Sequence, residues 1–461
     1  MIHRLTNCLG AALLIGGWAV TGPVGWTQSA TDSDSSHDLN IHQMIDIEKP
    51  PINYSETEDD NRVTRLMAKL QSEQLELDYD SETGYLRSLL EALEVPESSQ
   101  TLVFSKTSLQ VQHISKRNPR AIYFNDDTYV GWVRGSSLME ISTTDPKLGA
   151  AFYTVDMMPW KADIERAYYD CLACHVTSMT RGVPGHTIRS VQPHVDGSID
   201  AQRQSFITDH TSPFSERWGG WYVTGRHGDM QHMGNATLVG GRLQTNSNGN
   251  RLSLRGEFDS FSYLSPYSDI VALMVMEHQT QLHNIMTRAD FAVRHANYER
   301  SQQQASEESD QEYQFKLHAL SQEIVDGLLF VGETPLPSEV KGLLSFQSDF
   351  QQRGPDDSEG RSLRQFDLND RLFKYPCSYL IYTSAFENLA PELRDQVVSD
   401  LLDVLQGNVQ SSKYQHLTPE LRDAILAILR DTKPDWFAED PPETAVSVHT
   451  PTRRQSEPAG R

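Results

Sequence analysis

The sequence predicts an α+β protein: a β-rich unit, then a loop region built around a paired-cysteine segment, then a mostly α-helical C-terminal region. Three observations predict it. Between residues 99 and 157, short runs of β-forming residues alternate with turn residues. From about Ser268, apolar residues recur at helical spacing. Between these regions, glycine and polar residues interrupt every periodic run. The chain divides accordingly into 1–30, an N-terminal leader; 31–60, a polar linker; 61–157, helices followed by the β-rich unit; 158–260, the loop region; 261–440, the helical region; and 441–461, a polar tail that the sequence predicts to be disordered.

Each element has a local reason. Val63, Leu66, Met67 and Leu70 recur at i, i+3, i+4, i+7, and Leu86, Leu89, Leu90 and Leu93 repeat the pattern, so two amphipathic helices open the body; the second must stop before Pro96. The runs 102–104, 109–113, 121–124, 128–132, 138–141 and 151–155 read as strands of an antiparallel sheet or small barrel. Asn125-Asp126-Asp127 and Asp145-Pro146 mark turns between them. Ile188 to Val191 reads as an isolated strand. On the long helix from Ser268, Ile270, Leu273, Met274, His278, Leu282, Ile285 and Met286 lie on or near one stripe. Residues 301–314 are rich in Gln, Ser and Glu and read as a solvated helical face or a linker; 352–362 form a polar break. Leu389-Ala390-Pro391-Glu392-Leu393-Arg394-Asp395 recurs as Leu417-Thr418-Pro419-Glu420-Leu421-Arg422-Asp423, placing Pro at the first position of two helices.

The leader carries one basic residue, Arg4, and an apolar run from Leu9 to Val20, too short to span a bilayer. Thr27-Gln28-Ser29-Ala30 follow, then Asp32 and Asp34, the pattern of a secretory signal cleaved near Ser29 or Ala30, which predicts a periplasmic or otherwise exported protein. An uncleaved anchor is the alternative. Cys8 precedes the apolar run and is not a lipid-attachment site. No second apolar run reaches membrane length, so no integral membrane segment is expected after cleavage. The formal net charge of −23 argues against nucleic acid and anionic lipid as partners and suits a basic redox partner.

The chemistry is concentrated in Cys171-Leu172-Ala173-Cys174-His175. In a C-x-x-C-H segment the two thiols add to the vinyl groups of one haem c, and the adjacent imidazole ligates its iron. The alternatives are a thioredoxin-like pair, disfavoured because no βαβ strand precedes it, and a zinc site, which lacks a second cysteine pair. Cys377, in an aromatic and aliphatic setting, reads as a buried, inert thiol. His175 is the proximal ligand on this reading. For the distal face the candidates are His232, in the ligand-dense loop 225–235 with His227, and His278 on the long helix; Met230 and Met233 fall near the spacing of small electron-transfer cytochromes, but the intervening chain is not helical. Arg181, Arg189 and Arg217 are candidates to pair with haem carboxylates, and Trp218, Trp221 and Tyr222 to wall the ring.

The motif resembles that of c-type cytochromes, which implies covalent attachment through Cys171 and Cys174 and ligation by His175. Beyond it, Val95–Leu109, Ala121–Asp156 and Thr208–Asn235 resemble a family of exported bacterial monohaem proteins with no assigned activity. That resemblance implies haem binding and export, and no reaction; the helical region from 268 onward resembles no c-type cytochrome fold. The leading expectation is therefore an exported haem c protein in electron transfer. The alternatives are a peroxidase- or oxygenase-like haem oxidoreductase, with His227, His232, Glu277 or His278 as acid–base group, and a haem-bearing sensor or complex subunit.

Overall fold

The structure is a computed structural model that describes residues 45–245, 249–302 and 306–437. The leader, its cleavage site and the tail from 441 lie outside the described residues. Residues 45–60, at the end of the predicted linker, lie against the body: Ile47, Ile52 and Tyr54 are buried in one cluster with Leu148, Val183 and Phe291. The apolar residues there are too widely spaced to read as an element, yet three of them find a common pocket.

The two predicted helices are present as α1 (Arg62–Gln71) and α2 (Leu86–Ala92). Asn61 caps α1 by accepting from the Val63 and Thr64 N–H groups. The β-rich unit is an open, antiparallel seven-stranded sheet: β1 (Thr101–Val103), β2 (Arg120–Phe124), β3 (Thr128–Trp132), β4 (Leu138–Asp145), β5 (Gly149–Asp156), β6 (Asp163–Ala167) and, after β7 (Arg189–Ser190) and β8 (Phe206–Ile207), β9 (Trp221–Tyr222). Its order is β6-β5-β4-β3-β2-β1-β9, so the sheet's last strand comes from the loop region. Residues 109–113 form turns, not the predicted strand; β1 is flanked by β2 and β9, leaving no vacant edge beside it. The predicted strand at 188–191 is the two-residue β7.

Register gives the sheet two unlike faces. Tyr123, Val130, Trp132, Ile141 and Tyr153 turn one way and share a core with Val63, Leu86 and Leu89 of α1 and α2. Arg120, Ile122, Tyr129, Gly131, Glu140, Ser142 and Phe152 turn the other way. Part of this second face is covered by the long helix α4 (Ile270–Gln302), after the short hairpin β10 (Leu238–Val239) and β11 (Arg242–Leu243); α3, the motif helix, is described below. Gln279 of α4 donates to the Tyr129 hydroxyl at 2.7 Å and to the Asn125 carbonyl at 2.9 Å.

The sequence predicts an apolar stripe on α4, whereas the helix is buried around its whole circumference from Ile270 to Thr280 and from Leu282 to Val293. Its other sides are covered by α5 (Glu307–Leu328), α6 (Leu344–Gln351), α7 (Ser384–Glu387) and α8 (Pro391–Gln406), with α9 (Pro419–Thr432) packed on α8. Two of its buried polar residues are satisfied inside the protein, Glu277 by Arg217 and Thr208, and Gln279 also by the Tyr379 hydroxyl. α8 and α9 both begin at the predicted prolines. Cys377 is fully buried, and burial pushes its thiol up to about 12. Among the described residues, no helix is long and apolar enough to cross a membrane.

Candidate functional site

Cys171, Cys174 and His175 sit on α3 (Tyr169–His175). In a helix, positions i, i+3 and i+4 share a face, so this short element groups the two thiols and the imidazole. Asp170 lies inside the first turn, and Tyr168 holds the cap position and makes no side-chain cap bond. The helix is anchored by packing instead, with Leu172 and Val176 against the Ile52–Phe291 cluster. Both thiols are unbridged; Cys174 is exposed and Cys171 half-buried.

The His175 ring is held on two sides. It packs on Phe152 of β5, with ring centres 4.8 Å apart, and its Nδ1 lies 2.7 Å from the Gly185 carbonyl oxygen. A carbonyl only accepts, so Nδ1 carries the proton and Nε2 keeps its lone pair. Burial depresses the basicity of the ring, which favours the neutral form that ligates a metal.

These three residues line a cleft of ≈ 390 Å³. The second face of the sheet forms one wall, with Arg120, Ile122, Gly131, Glu140 and Phe152; Leu109 and Val111 from the turn segment and Met276 and Thr280 from α4 also line it. Arg120 and Glu140 form an ion pair on this wall, and Ser108 donates to Glu140 at 3.1 Å. Burial pushes the Cys171 thiol up to about 11, and the Glu140 carboxylate adds to the effect.

The distal candidates are placed elsewhere. Neither His232 nor His278 lines the cleft. The His232 Nε2 faces His227 Nε2 at 3.3 Å, beside the Trp218 ring. His278 is enclosed on α4: its Nε2 is 2.7 Å from Ser378 Oγ and its Nδ1 3.3 Å from His210. Met230 and Met233 are buried away from the cleft lining. Of the three arginines, Arg189 lines the cleft, while Arg181 pairs with Glu323 and Arg217 with the buried Glu277. Trp218, Trp221 and Tyr222 are buried in the core and do not line it.

The sequence reading misses three cleft residues: Arg120, Glu140 and His186. His186 is 5% exposed, its ring lies 4.5 Å from Tyr129, and its Nε2 has no hydrogen-bond partner. It lines the same cleft as His175, with its ring 6.5 Å from Phe152. Arg120 and Glu140 give no usable signal: each alternates with buried apolar neighbours, Ala121 on β2 and Met139 and Ile141 on β4, as an outward-facing strand residue does.

No protein-family model matches the chain, and no curated protein or solved structure matches it.

Proposed function

We propose that this is an exported haem c protein that passes single electrons through one covalently attached haem. Cys171 and Cys174 would form the thioether links and His175 would ligate the iron through Nε2. The observation that carries the reading is the bond from His175 Nδ1–H to the Gly185 carbonyl. It directs the free ring nitrogen away from the protein backbone, on an element whose two cysteines line the same cleft. The donor set fits: two unbridged thiols, one neutral imidazole, an apolar wall of Ile122, Phe152, Leu109 and Val111, and Arg189 as a cation for a haem carboxylate. A bound haem supplies one-electron chemistry at a potential set by its ligands and surroundings. This chain's residues orient the imidazole, exclude water from the inner wall and leave the Cys174 edge open to solvent.

A basic redox partner fits the exposed acidic chain that leads into α3. Trp160 and Tyr169 are 76% and 82% exposed, and Asp156, Asp163, Glu165 and Asp170 are exposed around them in sequence. Charge complementarity of this kind sets association rate and orientation.

A second reading, a haem-dependent oxidoreductase, is supported by the Arg120–Glu140 pair on the cleft wall, a carboxylate and a guanidinium of the kind that proton transfer to a small ligand uses. Haem-stained denaturing gels of the exported wild type, Cys171→Ala and Cys174→Ala test attachment; a wild type without covalent haem overturns the proposal. Optical and EPR spectra then divide the readings. A six-coordinate low-spin ferric iron indifferent to cyanide and peroxide supports the carrier, and a five-coordinate high-spin iron supports the enzyme.

A further inference from the structure

The segment Pro184-Gly185-His186 is bonded at every peptide group. The Ala150 N–H donates to the Pro184 carbonyl at 3.0 Å, and the Gly185 N–H to the His175 carbonyl at 3.0 Å. The Asn284 side chain takes both backbone groups of His186: Oδ1 accepts from its N–H at 2.9 Å, and Nδ2 donates to its carbonyl at 2.7 Å. Asn284 is 1% exposed, at the middle of α4. Its amide has one workable orientation, because a flip sets oxygen against oxygen and N–H against N–H. A Cβ on Gly185 would overlap Asn284 Oδ1, so only glycine permits this approach.

The His186 N–H and the Gly185 carbonyl belong to the same peptide group. The chain therefore runs from Asn284 Oδ1 through one peptide to the Nδ1 proton of His175. Hydrogen bonds in series polarise one another. An acceptor on the N–H makes the carbonyl oxygen a better acceptor, which strengthens its hold on Nδ1–H and makes Nε2 more electron-rich.

We infer that Asn284 is a positioning residue for His175: through this peptide it fixes the ring tautomer and raises the donor strength of Nε2. The inference rests on the proposed ligation by His175, and two measurements separate the two. The first uses ring nitrogen-15 chemical shifts of His175 in haem-free protein. Wild type shows the Nδ1–H tautomer, Asn284→Ala moves toward the ordinary mixture, and Asn284→Asp, whose buried carboxyl in its protonated form keeps an acceptor for the His186 N–H and a donor to its carbonyl, restores it. The second uses the reduction potential of the haem-bound protein. Loss of the relay in Asn284→Ala raises the potential, because a weaker donor stabilises ferric iron less against ferrous, and Asn284→Asp brings it back down. Equal tautomer populations in wild type and Asn284→Ala, or shifts of the same sign in both variants, overturn the inference. A wild type that carries no covalent haem overturns the function proposed above and leaves the tautomer measurement to decide this one.

Discussion

Arg120 and Glu140 lie on β2 and β4, with β3 between them, and their side chains meet over Gly131. A Cβ at 131 would run into the Arg120 guanidinium. The bare Cα thus lets a cross-sheet ion pair close flat against the cleft wall. Glu140→Gln leaves the guanidinium, 20% exposed, facing a neutral amide, and Gly131→Ala forces it off the wall. Each variant is expected to lose about 1–3 kcal/mol in chemical denaturation. Equal stability in Glu140→Gln and wild type would show the pair to be idle.

His283 gives a pH dependence with a defined sign. Burial lowers its pKa from the ordinary 6.5 to about 4, and its Nδ1 lies 3.4 Å from Thr144 Oγ1. A base whose folded pKa is depressed contributes stability that is fully present above 6.5 and lost as pH falls toward 4. His210, lowered to about 4, acts in the same direction, whereas buried Asp290, raised to about 6, acts oppositely and loses its contribution as pH rises. A single melting profile sums these effects, so the variant is compared with wild type at each pH. Relative to wild type, His283→Gln is expected to gain on the order of 3 kcal/mol between pH 6.5 and 4. Parallel profiles would disprove the assignment.

Asp269 starts α4 and ties it to the chain beyond. One carboxylate oxygen accepts from the Val271 and Ala272 N–H groups at 2.9 Å each, and the other from the Leu343 N–H. Loss of the cap in Asp269→Ala costs about 1–2 kcal/mol. The stranded Leu343 N–H adds about 1–3 kcal/mol. Urea denaturation checks the sum, and Asp269→Asn is expected to recover most of the cap.

The exposed acidic chain leading into α3 predicts a salt-sensitive encounter. Electron transfer to a lysine-rich cytochrome, followed by stopped flow, is expected to slow as ionic strength rises from 10 to 150 mM, values at which the screening length falls from about 30 Å to about 8 Å. Trp160→Ala together with Glu165→Lys is expected to slow it further at low salt. A rate indifferent to both salt and substitution would place docking elsewhere.

Much of this architecture is legible in the residues. α1, α2, α8 and α9 follow from period and proline position, and five of the strands follow from β-forming runs between turns. β6 escapes because Asp163-Ile164-Glu165-Arg166-Ala167 is an edge strand with only Ile164 buried, so it shows no apolar alternation. Leu109 to His113 misleads for the converse reason: it alternates like a strand, yet Leu109 and Val111 are exposed at the cleft. Within the site, the cysteines and His175 declare themselves by spacing alone. Arg120 and Glu140 do not, since twenty residues separate them and only sheet register brings them together. His232 and His278 attract attention through local density of potential ligands, but burial gives their ring nitrogens partners within the protein.

The clamp on His186 bears on how far the five-residue motif can be transplanted. α3 is seven residues long, lacks a side-chain cap, and has the acceptor for its imidazole on a segment gripped from residue 284. The motif is portable as text but not as a part. Excising 158–260 as a minimal unit removes β5, which supplies Phe152, and α4, which supplies Asn284, so the fragment would keep its two thiols and lose control of its imidazole.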